Sequence, residues 1–278
     1  MARLDQVRQR IELTDDELET IRLLHNGEPV NAATLEVLRA AGVVDDDGTI
    51  DALLLDLVQT VSDPMIECAI ETAGPQGPAH ALLAVREETV WYTDPWPQEG
   101  PGDPVAYHRD ELPQLLWILA RLVGLRRHDV PRAARPFTVP LSAIDAVVQT
   151  MGLTDDSWEP AKVVATTQIA SLFSTVPEPD RVMLMATLSH LVATTRVTLV
   201  WGPDVTTDAR ALALWNCGDG GYWVRTAPPE PLRGEDITPD ATATFRPVSA
   251  GQVWRELADL LPSSAELTAL VERVAAHP

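Results

Sequence analysis

The stretch "NCGDGGYWVRT", residues 216–226, sets three glycines and a cysteine just ahead of an aromatic, β-branched run. A phosphate cradle would need glycine amides converging on a helix N-terminus. The sequence has no G-x-x-x-x-G-K-[ST] and no G-x-G-x-x-G, and the residues after the glycines read as a strand by composition. The reading that remains is a turn, with Asp219-Gly220 expected to supply the positive φ angles of a hairpin between "ARALALWN" (209–216) and "GYWVRT" (221–226). An earlier stretch, "REETVWYT" (86–93), repeats this strand entry, and Trp223 matches Trp91 at an offset of 132.

The repetition extends outward on both sides. "MIECAIETA" (65–73) alternates Ile66, Cys68 and Ile70 with Glu67 and Glu71, as a half-buried strand does, with Cys68 facing inward. "AHALLAV" and "TVWYTD" follow as antiparallel partners, and "DPVAYH" forms a fourth strand after a Pro/Gly/Asp-rich loop. Asp110 is then expected to cap a helix striped by Leu112, Leu115, Leu116, Leu119 and Leu122 and ending near Gly124. In the second half the strands are "TRVTLVWG" (195–202), 209–216, 221–226 and "ATATFRP" (241–247). Ser249 starts the matching helix, whose Val253, Trp254, Leu257 and Leu260 lie 138 positions after Leu115, Leu116, Leu119 and Leu122.

Helical segments precede each block, at 14–26, 31–41 and 51–62 and again at 140–152, 159–173 and 179–194, and a last helix covers about 264–276. The expected class is therefore α+β: an internally duplicated unit of helices, a four-stranded antiparallel meander and a helix. Two such units would join about a pseudo-twofold axis into a single domain, with a central sheet flanked by helices. The units are placed at 1–126 and 140–278, with 127–139 as a Pro-interrupted linker.

Composition limits the function. Among 278 residues there are 41 acidic and 21 basic ones, a formal net charge of -20, which repels nucleic-acid backbones and anionic lipid. The densest basic cluster is Arg121, Arg126, Arg127, Arg132 and Arg135, broken by Pro131 and Pro136. Neither nucleic acid nor a membrane is expected as a partner, and self-association is open. No apolar run has the length of a secretory signal core or a membrane span, so the expected location is cytoplasmic, with Cys68 and Cys217 as reduced thiols.

No motif carries chemistry. "VVDDDGTID" (43–51) resembles a calcium loop, but with Gly48 in the glycine position, Val43 and Leu54 fall where acidic ligands belong, so an Asp/Gly turn before the next helix is expected. It is also similar to a winged-helix wing, without the basic residues a DNA-reading wing needs. None of the six histidines has a ligand partner at i+2 to i+4, although His80 and His108 lie on neighbouring strands. No G-x-S-x-G or protease-like cysteine motif is present, and no carboxylate pair stands out. No catalytic residue, cofactor or metal ligand is assigned. Eight tryptophans outnumber three Phe and three Tyr; six are expected in the core, while Trp96, in "DPWPQEGPGDP", is either folded back on the sheet or offered to a partner.

The order "LTDDELETIRLL", "LEVLRAAGVVDDDGTIDALLLDLVQTVSDP", then a strand pair, resembles the EspG family of type VII (ESX) secretion-associated proteins. So do Gly221-Tyr222 and the junction Pro247-Val248-Ser249-Ala250. The resemblance covers nearly the whole chain. It implies a non-enzymatic cytosolic chaperone or adaptor that binds secreted helical dimers of the PE-PPE kind and keeps them soluble, in actinobacteria or another high-GC bacterium. No family contact residue aligns onto a motif here, so the partner-binding candidates are positional: Asp94, Trp96, Glu99 and Asp103 in one loop, Glu230, Arg233, Glu235 and Asp236 in another, and the exposed face of the last helices. The competing expectation is a small-molecule-binding or hydrolytic α+β domain with its site between the sheet halves.

Overall fold

A computed structural model describes residues 2–97, 103–144, 158–172, 176–202, 208–227, 238 and 240–276. The chain begins with a short hairpin, β1 (Arg3–Asp5) and β2 (Arg10–Leu13), followed by α1 (Asp15–His25), α2 (Ala32–Ala40) and α3 (Ala52–Ser62). Each helix starts on a side-chain cap. Thr14 and Glu17 form a reciprocal capping box, Asn31 Oδ1 accepts the Ala33 N–H, and Asp51 Oδ1 accepts the Leu53 N–H. The acidic stretch before α3 is a turn, as expected: Val44 bridges Ile50, Gly48 takes φ 89°, and Asp47 Oδ1 accepts the Thr49 N–H.

Then come β3 (Ile66–Gly74), β4 (Gly77–Arg86), β5 (Thr89–Thr93), the two-residue β6 (Trp96–Pro97), β7 (Val105–Glu111) and α4 (Leu115–Leu122). Asp110 does not cap this helix. It lies within β7, its Oδ1 accepts the Glu111 N–H, and a 3-10 turn at Leu112–Gln114 carrying Pro113 leads into α4 instead. Leu112 consequently sits outside the buried stripe. The helix does end at Gly124, whose φ of 63° lets the Leu125 N–H reach back to the Ala120 carbonyl.

The stretch read as a linker contributes β8 (Phe137–Pro140), a strand too short for alternation to show. Residues 141–144 are helical, and the remainder of the helix expected to 152 lies outside the described residues. After α5 (Trp158–Leu172), α6 (Glu178–Ser189) is shorter than the expected 179–194, because Ala193 and Thr194 already belong to β9 (Ala193–Trp201). Lys162 explains that stop. Its buried ammonium donates to the Ser189 and Leu191 carbonyls at the helix C-terminus, where a cation satisfies orphan acceptors. β10 (Asp208–Asn216), β11 (Tyr222–Thr226), β12 (Thr242–Val248), α7 (Ala250–Leu260) and α8 (Ser264–Ala276) complete the chain. Ser249 and Gln252 cap α7 reciprocally.

The opening stretch is a turn, but with a different division of labour from the one expected. Residues Gly218–Gly220 make a 3-10 turn, and the positive φ angles fall on Gly218 (52°) and Gly221 (74°), not on Asp219-Gly220. Gly221 has ψ −164°, a conformation open essentially to glycine alone. A Cβ there would lie 3.1 Å from both the Asp129 carbonyl and Pro131 Cδ, so the chain after α4 crosses directly over it.

All twelve strands form one antiparallel sheet in the order β1-β2-β7-β5-β4-β3-β9-β10-β11-β12-β8, with β6 paired to β4. The seam is β3 against β9, in register from Ile66 opposite Trp201 to Ala73 opposite Thr194. On either side of it the strands follow chain order outward as far as β7 and β12, each of which leads into a helix, α4 or α7, while β2-β1 and β8 form the edges. These two helices touch each other beneath the seam and bury Ile66, Cys68, Ile70, Val197 and Leu199 from one face. On the opposite face the cover is split. Helices α1–α3 bury Trp91, Ile11 and Leu13, while α5, α6 and residues 141–144 bury Trp215, Trp223, Phe137 and Phe245. Phe245 stacks on Phe137 at 5.0 Å and meets Trp215 at 4.5 Å. Trp91, Trp201, Trp215 and Trp223 are core residues as expected, whereas Trp117 is 65% exposed, leaning edge-on against Trp254 of α7.

Candidate functional site

Between the two helical covers the sheet is left open. Residues directly opposite in antiparallel strands share a face, so the outward positions of β3 and β9 continue each other across the seam. One row runs Leu82, Ala69, Thr198, Ala211; the next runs His80, Glu71, Arg196, Ala213, Arg225; a third runs Ala84, Glu67, Val200, Ala209. Ala69, Ala84, Ala209, Ala211, Ala213 and Thr198 are small, which sinks parts of the floor below the helices beside it. Among the large side chains on this floor, Leu82 is apolar and 53% exposed near the middle of the groove.

Two adjoining cavities fill this groove and share Ala69 and Leu82 in their walls. The first, about 310 Å³, is walled by Leu18 of α1, Val61 of α3, Trp91 and Tyr107. The second, about 590 Å³, is walled by Ile144, Trp215, Glu71, His80, Arg196 and Arg225. The first end is mainly apolar, with Glu67, Thr93 and Thr198 among its lining, and the second carries the charged or polar side chains Glu71, His80, Arg196 and Arg225.

The apolar end is braced from behind. Trp91 Nε1 donates to Asp56 Oδ2 on α3 at 2.9 Å, and Arg109 Nε donates to the same oxygen at 2.8 Å. Arg109 also reaches Thr89 and Gln9. This network fixes α3 to the sheet and so sets the position of Val61.

Of the first loop's candidates, Asp94 is exposed, with its Oδ2 2.8 Å from His108 Nε2, and His108 stacks on Tyr92 at 5.3 Å. Trp96 and Pro97 form β6 against His80 and Ala79, placing this strand beside the polar cavity. Asp103 is exposed. Glu99, Glu230, Arg233, Glu235 and Asp236 lie outside the described residues. Sequence alone does not single out the groove residues. Alternation marks Glu67 and Glu71 as outward-facing, but only the pairing of β3 with β9 turns those outward faces into one floor.

Among the described residues no group of three or more His, Cys, Asp or Glu could hold a metal, and His80 and His108 have separate neighbours. Both cysteines are free. Burial pushes the Cys68 thiol up to about 12, and burial does the same to Cys217 against a small opposing effect of Lys162. Both are therefore thiols at neutral pH, without nucleophilic thiolate character.

The fold matches that of the type VII secretion system chaperone EspG5 of Mycobacterium tuberculosis, a structure solved in complex with a PE25-PPE41 dimer. The match covers 91% of this chain and 97% of that one, with a TM-score of 0.56 and 14% sequence identity. The expected EspG-like α+β architecture is thus the observed one. No protein-family model matches the chain, and no curated protein sequence does. No helix among the described residues is long and apolar enough to cross a membrane.

Proposed function

We propose that this protein is a chaperone or adaptor of a type VII (ESX) secretion system that holds a secreted helical protein, a PE-PPE-like dimer or a related hairpin protein, in the groove across the sheet seam. One observation carries the reading: a fold shared over nearly its whole length with EspG5, with a groove left open on the sheet, apolar at one end and polar at the other. A helical tip is the occupant that suits such a groove, since side chains spaced along one helix face can enter pockets along its floor.

In this reading the chain works without catalysis, in the cytoplasm, and its net charge of -20 keeps it from nucleic acid and from other copies of itself while unloaded. The loop with Asp94, Trp96, Glu99 and Asp103 forms one rim, and Glu230, Arg233, Glu235 and Asp236 a second contact. The two-unit division at 1–126 and 140–278 belongs to the same proposal, each unit contributing half of the floor. A small-molecule site between the sheet halves is less favoured, because the groove lies open along the sheet.

The test is co-expression with helical-hairpin proteins encoded in the same genome, followed by gel filtration. Co-elution with one of them at a defined ratio supports the proposal. Separate elution of all of them, together with turnover of a small molecule, overturns it.

A further inference from the structure

Resting on that reading of the groove, its apolar end holds a carboxylate that the chain itself leaves unanswered. Glu67 stands on the open face of β3 between Ala84 and Val200, half-buried, and is the one charged residue among those lining the smaller cavity. Its carboxylate forms no ion pair or hydrogen bond with any described residue. The guanidiniums at this end of the face are committed elsewhere. Arg86, a diagonal neighbour on β4, donates from Nη1 to the Gln59 carbonyl and sets Nη2 3.9 Å from Asp63. Arg109, at the far end of the row Glu67, Ala84, Trp91, Arg109, is bound to Asp56, Gln9 and Thr89. The Thr93 hydroxyl is taken as well, by the backbone of Leu82. Around Glu67 the cavity offers Val61, Leu82, Ala69, Ala84 and Val200, a setting in which an unpaired carboxylate is costly.

We propose that the partner's helical tip inserts a basic side chain, lysine or arginine, into this end of the groove, with its charged head on Glu67 and its aliphatic stem along Leu82. These side chains suit such a place because they lay their methylenes on apolar surface and carry the charge at the tip. The register sets the two contacts within reach of one another. Leu82 lies opposite Ala69 and Glu67 lies opposite Ala84, so Leu82 and Glu67 are diagonal neighbours with backbones about 7–8 Å apart, and one long side chain spans both. A cavity of about 310 Å³ has room for it. Leu18 and Val61, in the helical wall, partly shield the site from solvent, which makes a charge-assisted hydrogen bond stronger there than on an open surface. Glu67 on this account burdens the free chain and serves the complex, as residues kept for binding do.

The probe is a displayed library of helical-hairpin proteins with randomised tips, panned against the full chain. The inference predicts tips enriched in Lys or Arg. Their affinity should fall roughly 10- to 100-fold with Glu67→Gln, weaken as salt is raised, and vanish with Leu82→Arg, which fills the groove and gives Glu67 a cation within the chain. Panning against Glu67→Lys should enrich Asp or Glu at the same tip position. A second measurement needs no partner: Glu67→Gln removes an unpaired charge, so the melting temperature of the free chain should rise by about 1–3 °C. A clear fall would mean that Glu67 is satisfied within the fold, and overturns the inference. Binders lost on Leu82→Arg but free of basic enrichment and indifferent to Glu67→Gln also overturn it, and leave the groove reading standing. Binders indifferent to Leu82→Arg, or a library that yields none, overturn the groove reading itself. Melting curves of Leu82→Arg and Glu67→Lys, matched to the parent, separate loss of binding from loss of fold.

Discussion

Replacing Gly221 by alanine tests what the glycines of the 216–226 stretch do. At φ 74° and ψ −164° the residue occupies a region that a side chain makes costly by about 1–3 kcal/mol. The added Cβ would also stand 3.1 Å from the Asp129 carbonyl oxygen and 3.1 Å from Pro131 Cδ. Both neighbours belong to the segment held over this strand by the Arg126 N–H, which donates to the Tyr222 hydroxyl at 2.8 Å, so neither can withdraw without loosening that contact. With the steric part added, a loss of roughly 2–4 kcal/mol is expected. Gly218→Ala should cost less, about 1 kcal/mol, because φ 52° is the left-handed helical region and its nearest neighbour is a movable Val192 methyl at 3.3 Å. Asp219→Ala should be close to neutral. The assay is urea unfolding followed by tryptophan fluorescence, with thermal melts in parallel, where each kcal/mol corresponds to a drop of roughly 2–4 °C in a chain of this size. A neutral Gly221→Ala, or an Asp219→Ala as damaging as it, would refute the account of this turn.

Three further outcomes concern the core. Asp56→Ala strips the acceptor from Trp91 Nε1 and the anion from Arg109 together, and should cost about 2–3 kcal/mol and shift tryptophan emission, whereas Asp56→Asn, which keeps an acceptor, should recover part of both. Ser249→Ala removes the reciprocal cap of α7 and should cost about 1 kcal/mol by the same denaturation assay. The buried thiols should make the fold alkali-sensitive. Cys68 and Cys217 rise from 9.0 to about 12 on folding, so the stabilisation they represent is complete below pH 9 and is lost as pH climbs from about 9 toward 12. Unfolding measured across that range should steepen with pH, Cys68→Ala should flatten the curve, and a thiol reagent at pH 8 should label neither cysteine until the chain is unfolded.

Long periodic elements were legible. The alternation of Ile66, Cys68 and Ile70 fixed both the strand and its buried face, and the leucine stripe from Leu115 to Leu122 marked α4, because burial on one side writes a period into the residues. Strands β1 and β8, of three and four residues, are too short to display a period, and Pro136 and Pro140 disguise β8 as linker. Asp110 misled because an aspartate before an apolar stripe reads as a cap, yet Pro113 imposed a 3-10 turn between them. The groove was the least legible feature. Its floor draws on β4, β3, β9, β10 and β11, and neither a row of alanines nor a lone Leu82 means anything until the seam brings these strands together. Trp117 shows the converse: a tryptophan beside an apolar stripe reads as core, but on α4 it points away from the sheet.

The most direct test of the proposed function compares two single substitutions on opposite faces of the sheet. Leu82→Arg fills the groove at its centre, and Trp117→Arg alters the exposed aromatic on the helical face behind it. Affinity for a co-purifying helical partner, measured by calorimetry with both variants shown to be folded, should fall by about 100-fold or more for Leu82→Arg and stay within about twofold for Trp117→Arg. The opposite pattern, binding kept by Leu82→Arg and lost by Trp117→Arg, would place the partner on the other side of the sheet and contradict the account.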